Sequence, residues 1–326
     1  MIRNNSSIFV QFKRLLGALR SGHPAAYMGL LLKSISPFSQ LIDQIMHKAI
    51  DEKPQNSTKS PPCIMIVSPP RSGSTIIYQV LVRVIPSVYI SNLHLLFPYC
   101  ASRYMVKRKR FGSITNSFDN YYGYTSNLYD VNEGNQIVEK LLKSASTIEE
   151  IRENFNSFIH LMKSDSERPL IFKNVRFYSR IYELHKFIPE ITFLRIKRDI
   201  EEVVQSVVRA YHELGTFHPT PAHLKNKHAE DYIEFAVKQI IAIEESLESQ
   251  KQKINPKNWI EWTYEDFCSN PLPMIENLAD LTLNFEKSVI RKDAIPFLRA
   301  SKNNKVDKRE AQRISMLISK KKLKVR

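Results

Sequence analysis

The segment Ser68-Pro69-Pro70-Arg71-Ser72-Gly73-Ser74-Thr75 gathers one cation, four hydroxyls and a glycine within eight residues. Before it stands a short β-branched run, Cys63 to Val67, which reads as a buried strand. After it, Ile76, Ile77, Val80, Leu81, Val84 and Ile85 fall at helical spacing. A helix starting at Ser74 would turn unpaired backbone N–H groups and the positive end of its dipole toward this turn. Gly73 allows close backbone approach, Ser72, Ser74 and Thr75 supply donors, and Arg71 supplies charge. Such a turn binds anions.

It is not the nucleoside-triphosphate loop G-x-x-x-x-G-K-[ST]. Ser68 replaces the first glycine and Ser74 fills the lysine position. Without that lysine or an evident metal-binding Asp, a β/γ-phosphate is poorly served, and one phosphate with one sulfonate fits better. A serine-rich helix cap after a proline turn is the plainer alternative.

Strand, tight turn and helix open a parallel α/β sheet. Further strands are expected at Val88–Ser91, Leu170–Lys173, Thr192–Ile196 and Trp259–Thr263. A capping box, Thr147 with Glu150, starts a helix running to about Lys163. Helices also follow from Ile181 to Phe187, from Ile200 along Val203, Val204, Val207, Val208 and Tyr211, and from about Ala229 to Ser249. Residues 1 to about 50 read as helical, with Phe9, Phe12, Leu15, Leu16 and Leu19 on one face. That face is expected to pack on the protein, with a membrane surface as the alternative. The division is an N-terminal helical extension and linker, 1–60, and a main α/β domain, 61–326.

The bulk composition, 43% apolar and 25% charged, is that of a globular protein. Of the net charge of +15, the stretch Lys302–Arg326 carries +8 (ten Lys or Arg against two acids), leaving +7 for the other 301 residues. The tail Lys320, Lys321, Lys322, Lys324 and Arg326 is expected to be a solvated end, or else a contact to anionic lipid or polyanion. Nothing aromatic or zinc-like accompanies the charge, so nucleic acid is not an expected partner. Cys63, Cys100 and Cys268 lie far apart, form no CxxC pair, and fit a reducing compartment without a structural metal. With no apolar signal core in Met1–Arg20 and no run of membrane-spanning length, a soluble cytoplasmic protein is expected, with peripheral membrane contact through either terminus left open.

Here a resemblance becomes specific. Pro70-Arg-Ser-Gly-Ser-Thr75 resembles the 5′-phosphosulfate loop of the sulfotransferase family. That family also carries a strand ending in Arg-Asp with a serine eight residues after the arginine. This chain has Phe193-Leu-Arg-Ile-Lys-Arg-Asp199, then Ser206. Pro169 to Arg198 is similar to the family's lysine-bearing strand and helix, and Trp262 to Phe267 with Asn270-Pro271 to its late "YEdl…nP" segment. The resemblance covers about residues 62 to 285. It implies a central parallel sheet flanked by helices in a P-loop-like fold. It also implies a sulfuryl donor, 3′-phosphoadenosine 5′-phosphosulfate (PAPS), held without metal. Arg71, Ser72, Gly73, Ser74 and Thr75 would take the 5′ side, and Arg198 and Ser206 the 3′-phosphate. The chain departs from the family at Ser301–Lys305, which lacks the usual glycine and Trp, so Lys302 and Lys305 are weaker candidates.

Sulfuryl transfer requires an aligned donor, a deprotonated acceptor hydroxyl and a stabilised leaving oxygen. Lys173 is the candidate second cation near the transferred group. Two residues compete for the base. His94 follows the second strand, about where some relatives place a catalytic Glu, and an ordinary imidazole titrates near neutrality. Glu133 lies in a Tyr-, Gly- and Asn-rich loop suited to hydroxyl acceptors, and burial could make its carboxylate a base. His94 is narrowly preferred. The acceptor pocket is expected from 113–136 and 216–228, and the acceptor to be a small molecule, saccharide or glycolipid. A P-loop kinase-like phosphoryl transferase and a non-catalytic nucleotide-binding protein remain as rivals.

Overall fold

A computed structural model describes residues 15–49, 62–108, 118, 120–135, 137, 147–163, 168–215, 217, 224, 231–283, 290–300 and 306–324. The sheet has five parallel strands: β1 (Cys63–Val67), β2 (Val88–Tyr89), β5 (Leu170–Lys173), β6 (Ile191–Lys197) and β7 (Trp259–Thr263), in the order β2-β5-β1-β6-β7. A small hairpin, β3 (Asn120–Tyr121) with β4 (Tyr124–Thr125), stands apart from it. Register aligns Cys63 with Leu170 on one side of β1 and with Ile191 on the other. Every residue of β1 and β5 is buried, as strands covered by helices on both faces require.

The helices are α1 (Pro24–Ala49), α2 (Ser74–Val84), α3 (Asn92–Leu96), α4 (Ala101–Lys107), α5 (Ile148–Lys163), α6 (Ile181–Phe187), α7 (Ile200–Leu214), α8 (Tyr232–Lys251), α9 (Tyr264–Ser269), α10 (Pro271–Leu278) and α11 (Lys308–Lys324). Local signals set several ends. Thr147 and Glu150 make both capping-box bonds at 3.2 Å before α5. Asp199 accepts from the Glu202 amide at the start of α7, and Gly215 closes it in the left-handed region. Sheet and flanking helices share the main core; a second apolar cluster joins α7, α8 and α11 through Val204, Val208, Ala236, Ile240 and Ile314.

The chain leaves β1 for β2 and β5 on one side of it, then crosses from β5 over to β6 and β7 on the other, so the winding reverses beside β1. The crevice at the carboxyl ends of such strands is where α/β sheets take ligands. Lys173, Arg198 and the turn after Val67 all come to that edge.

Two expectations change. The basic C-terminal stretch is helical from Lys308 to Lys324 as α11, held by the buried Ile314 and Ile318, and Lys320 at the start of the basic tail is exposed. Leu15 and Leu19 do not pack inward; they are 40% and 49% exposed. Phe9, Phe12, the linker 51–61, and Lys302 and Lys305 lie outside the described residues. No described helix is long and apolar enough to cross a membrane.

Candidate active site

The turn after β1 carries two left-handed residues, Arg71 at φ 69° and Gly73 at φ 84°. Only glycine fits at 73: a Cβ there would lie 2.2 Å from Cδ2 of Tyr264. Arg71 is held despite the cost of that conformation, which is the kind of strain found where a side chain must be aimed. At the N-terminus of α2 no side chain caps the free amides and no acid occupies the first turn. Ser68 Oγ donates to Ser74 Oγ at 2.9 Å, and the buried Ser72 Oγ has no hydrogen-bond partner. An orphaned buried hydroxyl beside uncapped helix amides fits an anionic group.

Arg198 and Ser206 reach the same place. Arg71 Nε donates to Ser206 Oγ at 3.1 Å across 135 residues, and Arg198 Nη1 reaches the Arg71 carbonyl at 3.4 Å. Strand β6 delivers Arg198 at its carboxyl end, and one and a half turns of α7 bring Ser206 back over it. The Arg198 guanidinium stands 4.5 Å from the centre of the Tyr264 ring, and its acidic neighbours are Glu202 at 3.6 Å and Glu265 at 3.9 Å. Arg71 faces the Tyr122 ring at 4.8 Å. Burial pulls the Arg71 pKa down, and Tyr122 and Glu133 work against that shift. Two guanidiniums brought this close need an anion between or beside them.

Lys173, 2% exposed at the end of β5, donates to Thr75 Oγ1 at 2.7 Å and to Glu133 Oε1 at 2.5 Å. Glu133 Oε2 accepts from Asn135 Nδ2 at 3.0 Å. The loop bearing Glu133 is pinned by Asn92, whose Nδ2 donates to Thr125 Oγ1 at 2.9 Å and whose Oδ1 accepts from Asn132 Nδ2 at 2.7 Å. A chain of contacts therefore runs from the anion turn through Thr75 and Lys173 to a carboxylate.

Most of these groups line one cavity of about 1040 Å³. Arg71, Gly73, Ser74, Thr75, Lys173, Glu133, Arg198 and Ser206 face it; Ser72 lies behind the turn. Its other wall comes from Tyr121, Tyr122 and Tyr124, from the inner side of α1, and from Phe297 and Arg299. Of the expected loop 216–228 only residues 217 and 224 are described, and Phe217 lines the cavity. Three lining residues had no sequence signal. His23 stacks at 5.6 Å on Tyr121, Glu213 accepts from the Tyr122 phenol, and Lys33 lies 4.9 Å from the Tyr124 ring. A fourth lining residue, Arg176, could have been found, three residues beyond Lys173 in the turn that follows β5.

His94 is not at this site. It is fully buried in α3, away from the cavity lining. Its Nδ1 accepts from the Ser91 amide at 3.0 Å, which puts the ring proton on Nε2, 2.9 Å from Ser102 Oγ. Burial lowers its pKa to about 3, only partly offset by the Ser91 backbone. One nitrogen caps α3 and the other is bonded to Ser102 in the buried interior, so no acceptor reaches either and the preference for His94 as base is withdrawn. Among the described residues no group of three His, Cys, Asp or Glu could hold a metal ion.

Fold and site together define an α/β transferase of the P-loop-like class, with an anion turn after the first strand and a second cationic position after β6. Residues 62–286 match the sulfotransferase family, and the chain belongs to that family; it is a sulfotransferase. Among solved structures it is similar to the sulfotransferase STF1 of Mycobacterium tuberculosis H37Rv, at 11% identity and a TM-score of 0.56, over 94% of this chain and 90% of that one. It is also similar to the sulfotransferase STF9 of Mycobacterium avium, at 11% identity and a TM-score of 0.51, over 95% and 87%. At that identity the likeness is one of fold. No curated protein matches the sequence.

Proposed function

We propose that this protein transfers the sulfuryl group of PAPS to a hydroxyl of a saccharide or glycolipid, in the cytoplasm and without a metal. The observation that carries the reading is the contact chain Arg71–Ser206 and Thr75–Lys173–Glu133 along one cavity wall. The donor supplies an activated sulfur–oxygen bond. The protein's part is placement and charge. Arg71, Ser74, Thr75 and the amides at the start of α2 would hold the 5′ side, while Arg198 and Ser206 would hold the 3′-phosphate. Glu133 would accept the acceptor's proton as its oxygen bonds to sulfur. The bond from sulfur to the bridging phosphate oxygen breaks, and its electron pair stays on that oxygen beside Lys173. Tyr121, Tyr122 and Tyr124 offer ring faces and hydroxyls to a polyhydroxylated acceptor.

Calorimetric titration with adenosine 3′,5′-bisphosphate, set against ATP with magnesium, tests this. The bisphosphate should bind without metal and at least about tenfold more tightly. Preference for magnesium-ATP would favour phosphoryl transfer and overturn the proposal. Bisphosphate binding without sulfation of any glycan, lipid or protein by labelled donor would leave a non-catalytic binder.

A further inference from the structure

Helix α1 is inside out. The side that packs on the protein is mostly small, Ala25, Ala26, Gly29, Ser36 and Ser39, with Leu32 as its one large buried apolar residue among those described. The opposite side carries Tyr27, Leu31, Ile35, Phe38, Ile42 and Ile45, each between 41% and 73% exposed. Their spacing of three and four places them on a single face. A helix on a water-soluble protein ordinarily shows the reverse arrangement, and six large apolar side chains in one stripe are more than the scattered exposure normal for a surface.

The helix cannot roll to hide the stripe, because its inner side is fastened. A Cβ on Gly29 would sit 2.8 Å from the Tyr124 ring, so the backbone lies directly on that ring. Gln40 Nε2 donates to the Leu95 carbonyl at 2.9 Å. The fully buried Asp43 accepts from the Tyr99 and Cys100 amides at 2.7 and 3.0 Å. The same inner side, through Ala26, Gly29, Leu30 and Lys33, forms part of the cavity wall. Whatever covers the stripe therefore lies about one helix diameter, ~10 Å, from the cavity.

Charge identifies the occupant. Residues 1–49 contain six Lys or Arg and a single acid, Asp43, which is buried. Arg20 and Lys33 are exposed, and no acid on this segment reaches the surface among its described residues. An apolar face on a segment with five more cations than acids suits an anionic lipid surface. A second copy is disfavoured, since a two-fold contact would bring together two segments of like net charge.

We infer that α1 docks in the plane of an anionic membrane and so presents the cavity to an amphiphilic acceptor whose hydroxyl lies at headgroup level. The docking stands on the helix alone; the acceptor rests on the sulfotransfer reading given above. Flotation of the full chain with phosphatidylcholine vesicles containing about 30% phosphatidylglycerol, against pure phosphatidylcholine, tests it. The protein should float with the anionic vesicles, and about 0.5 M salt should weaken that binding. Combining Leu31→Gln, Phe38→Gln, Ile42→Gln and Ile45→Gln, all at exposed positions, should cut binding at least about a hundredfold. Melting temperature and affinity for adenosine 3′,5′-bisphosphate should not move. Failure of the wild type to float, or flotation unchanged in the variant, overturns the docking. A wild-type dimer that the variant splits into monomers overturns it too, by giving the stripe to a second copy. Flotation lost in the variant, in a protein that binds no bisphosphate, upholds the docking and removes the acceptor.

Discussion

Glu133→Gln removes a negative charge and a proton acceptor while keeping size and one carbonyl oxygen. In the native site Oε1 faces Lys173 Nζ at 2.5 Å and Oε2 faces Asn135 Nδ2 at 3.0 Å. The Lys173 side chain is 3% exposed and that of Glu133 18%. Deleting one partner of such a buried pair costs on the order of 3–5 kcal/mol. The amide oxygen still accepts from Lys173, so the expected loss of stability is smaller, about 1–3 kcal/mol. Loss of a general base should lower kcat by about 10²- to 10⁴-fold, or roughly 3–5 kcal/mol in the barrier. The assay pairs single-turnover transfer from labelled donor with calorimetric titration of adenosine 3′,5′-bisphosphate, on protein shown to be folded by its melting curve. A large fall in kcat with bisphosphate affinity within about threefold supports the base. Unchanged kcat, or a fall matched by equal loss of bisphosphate binding, would refute it and leave Glu133 as a positioning residue for Lys173.

His94→Gln should leave kcat unchanged and alter the pH dependence of stability instead. With a folded pKa of about 3 against about 6.5 unfolded, the unfolded chain binds the extra proton between those values. This contribution is whole above pH 6.5 and lost as pH falls toward 3; between pH 7 and 5 it amounts to about 2 kcal/mol. Denaturant titrations at the two pH values should differ by that much less in the variant. Gly73→Ala must relieve both a left-handed φ and the 2.2 Å approach to Tyr264, so it should destabilise by ~2 kcal/mol or more. Because Tyr264 also supports Arg198, calorimetry should show bisphosphate binding lost as well. Ser206→Ala deprives Arg71 Nε of its acceptor and should weaken bisphosphate binding on the order of tenfold. Arg198→Ala should weaken it on the order of a hundredfold; equal affinity in both variants would place the nucleotide elsewhere.

What was legible in the sequence was local. The apolar run 63–67, the glycine at 73 and the stripe after Ser74 specify strand, turn and helix by period and backbone conformation alone. Arg198 and Ser206 were legible as a strand end and a helical position eight residues on, and the capping box at Thr147 likewise. Two faces of the problem were not local. His94 looked free because a position after a strand says nothing of where its ring points; packing placed it between Ser91 and Ser102. The contacts Arg71–Ser206, Lys173–Thr75 and Lys173–Glu133 join residues 135, 98 and 40 apart, and strand order brings each pair together. Periodicity shows that a helix has an apolar side, but only tertiary packing decides which side faces the protein. In α1 the small side won, because Gly29, Gln40 and Asp43 each found a specific partner across the cavity wall and its neighbouring loop.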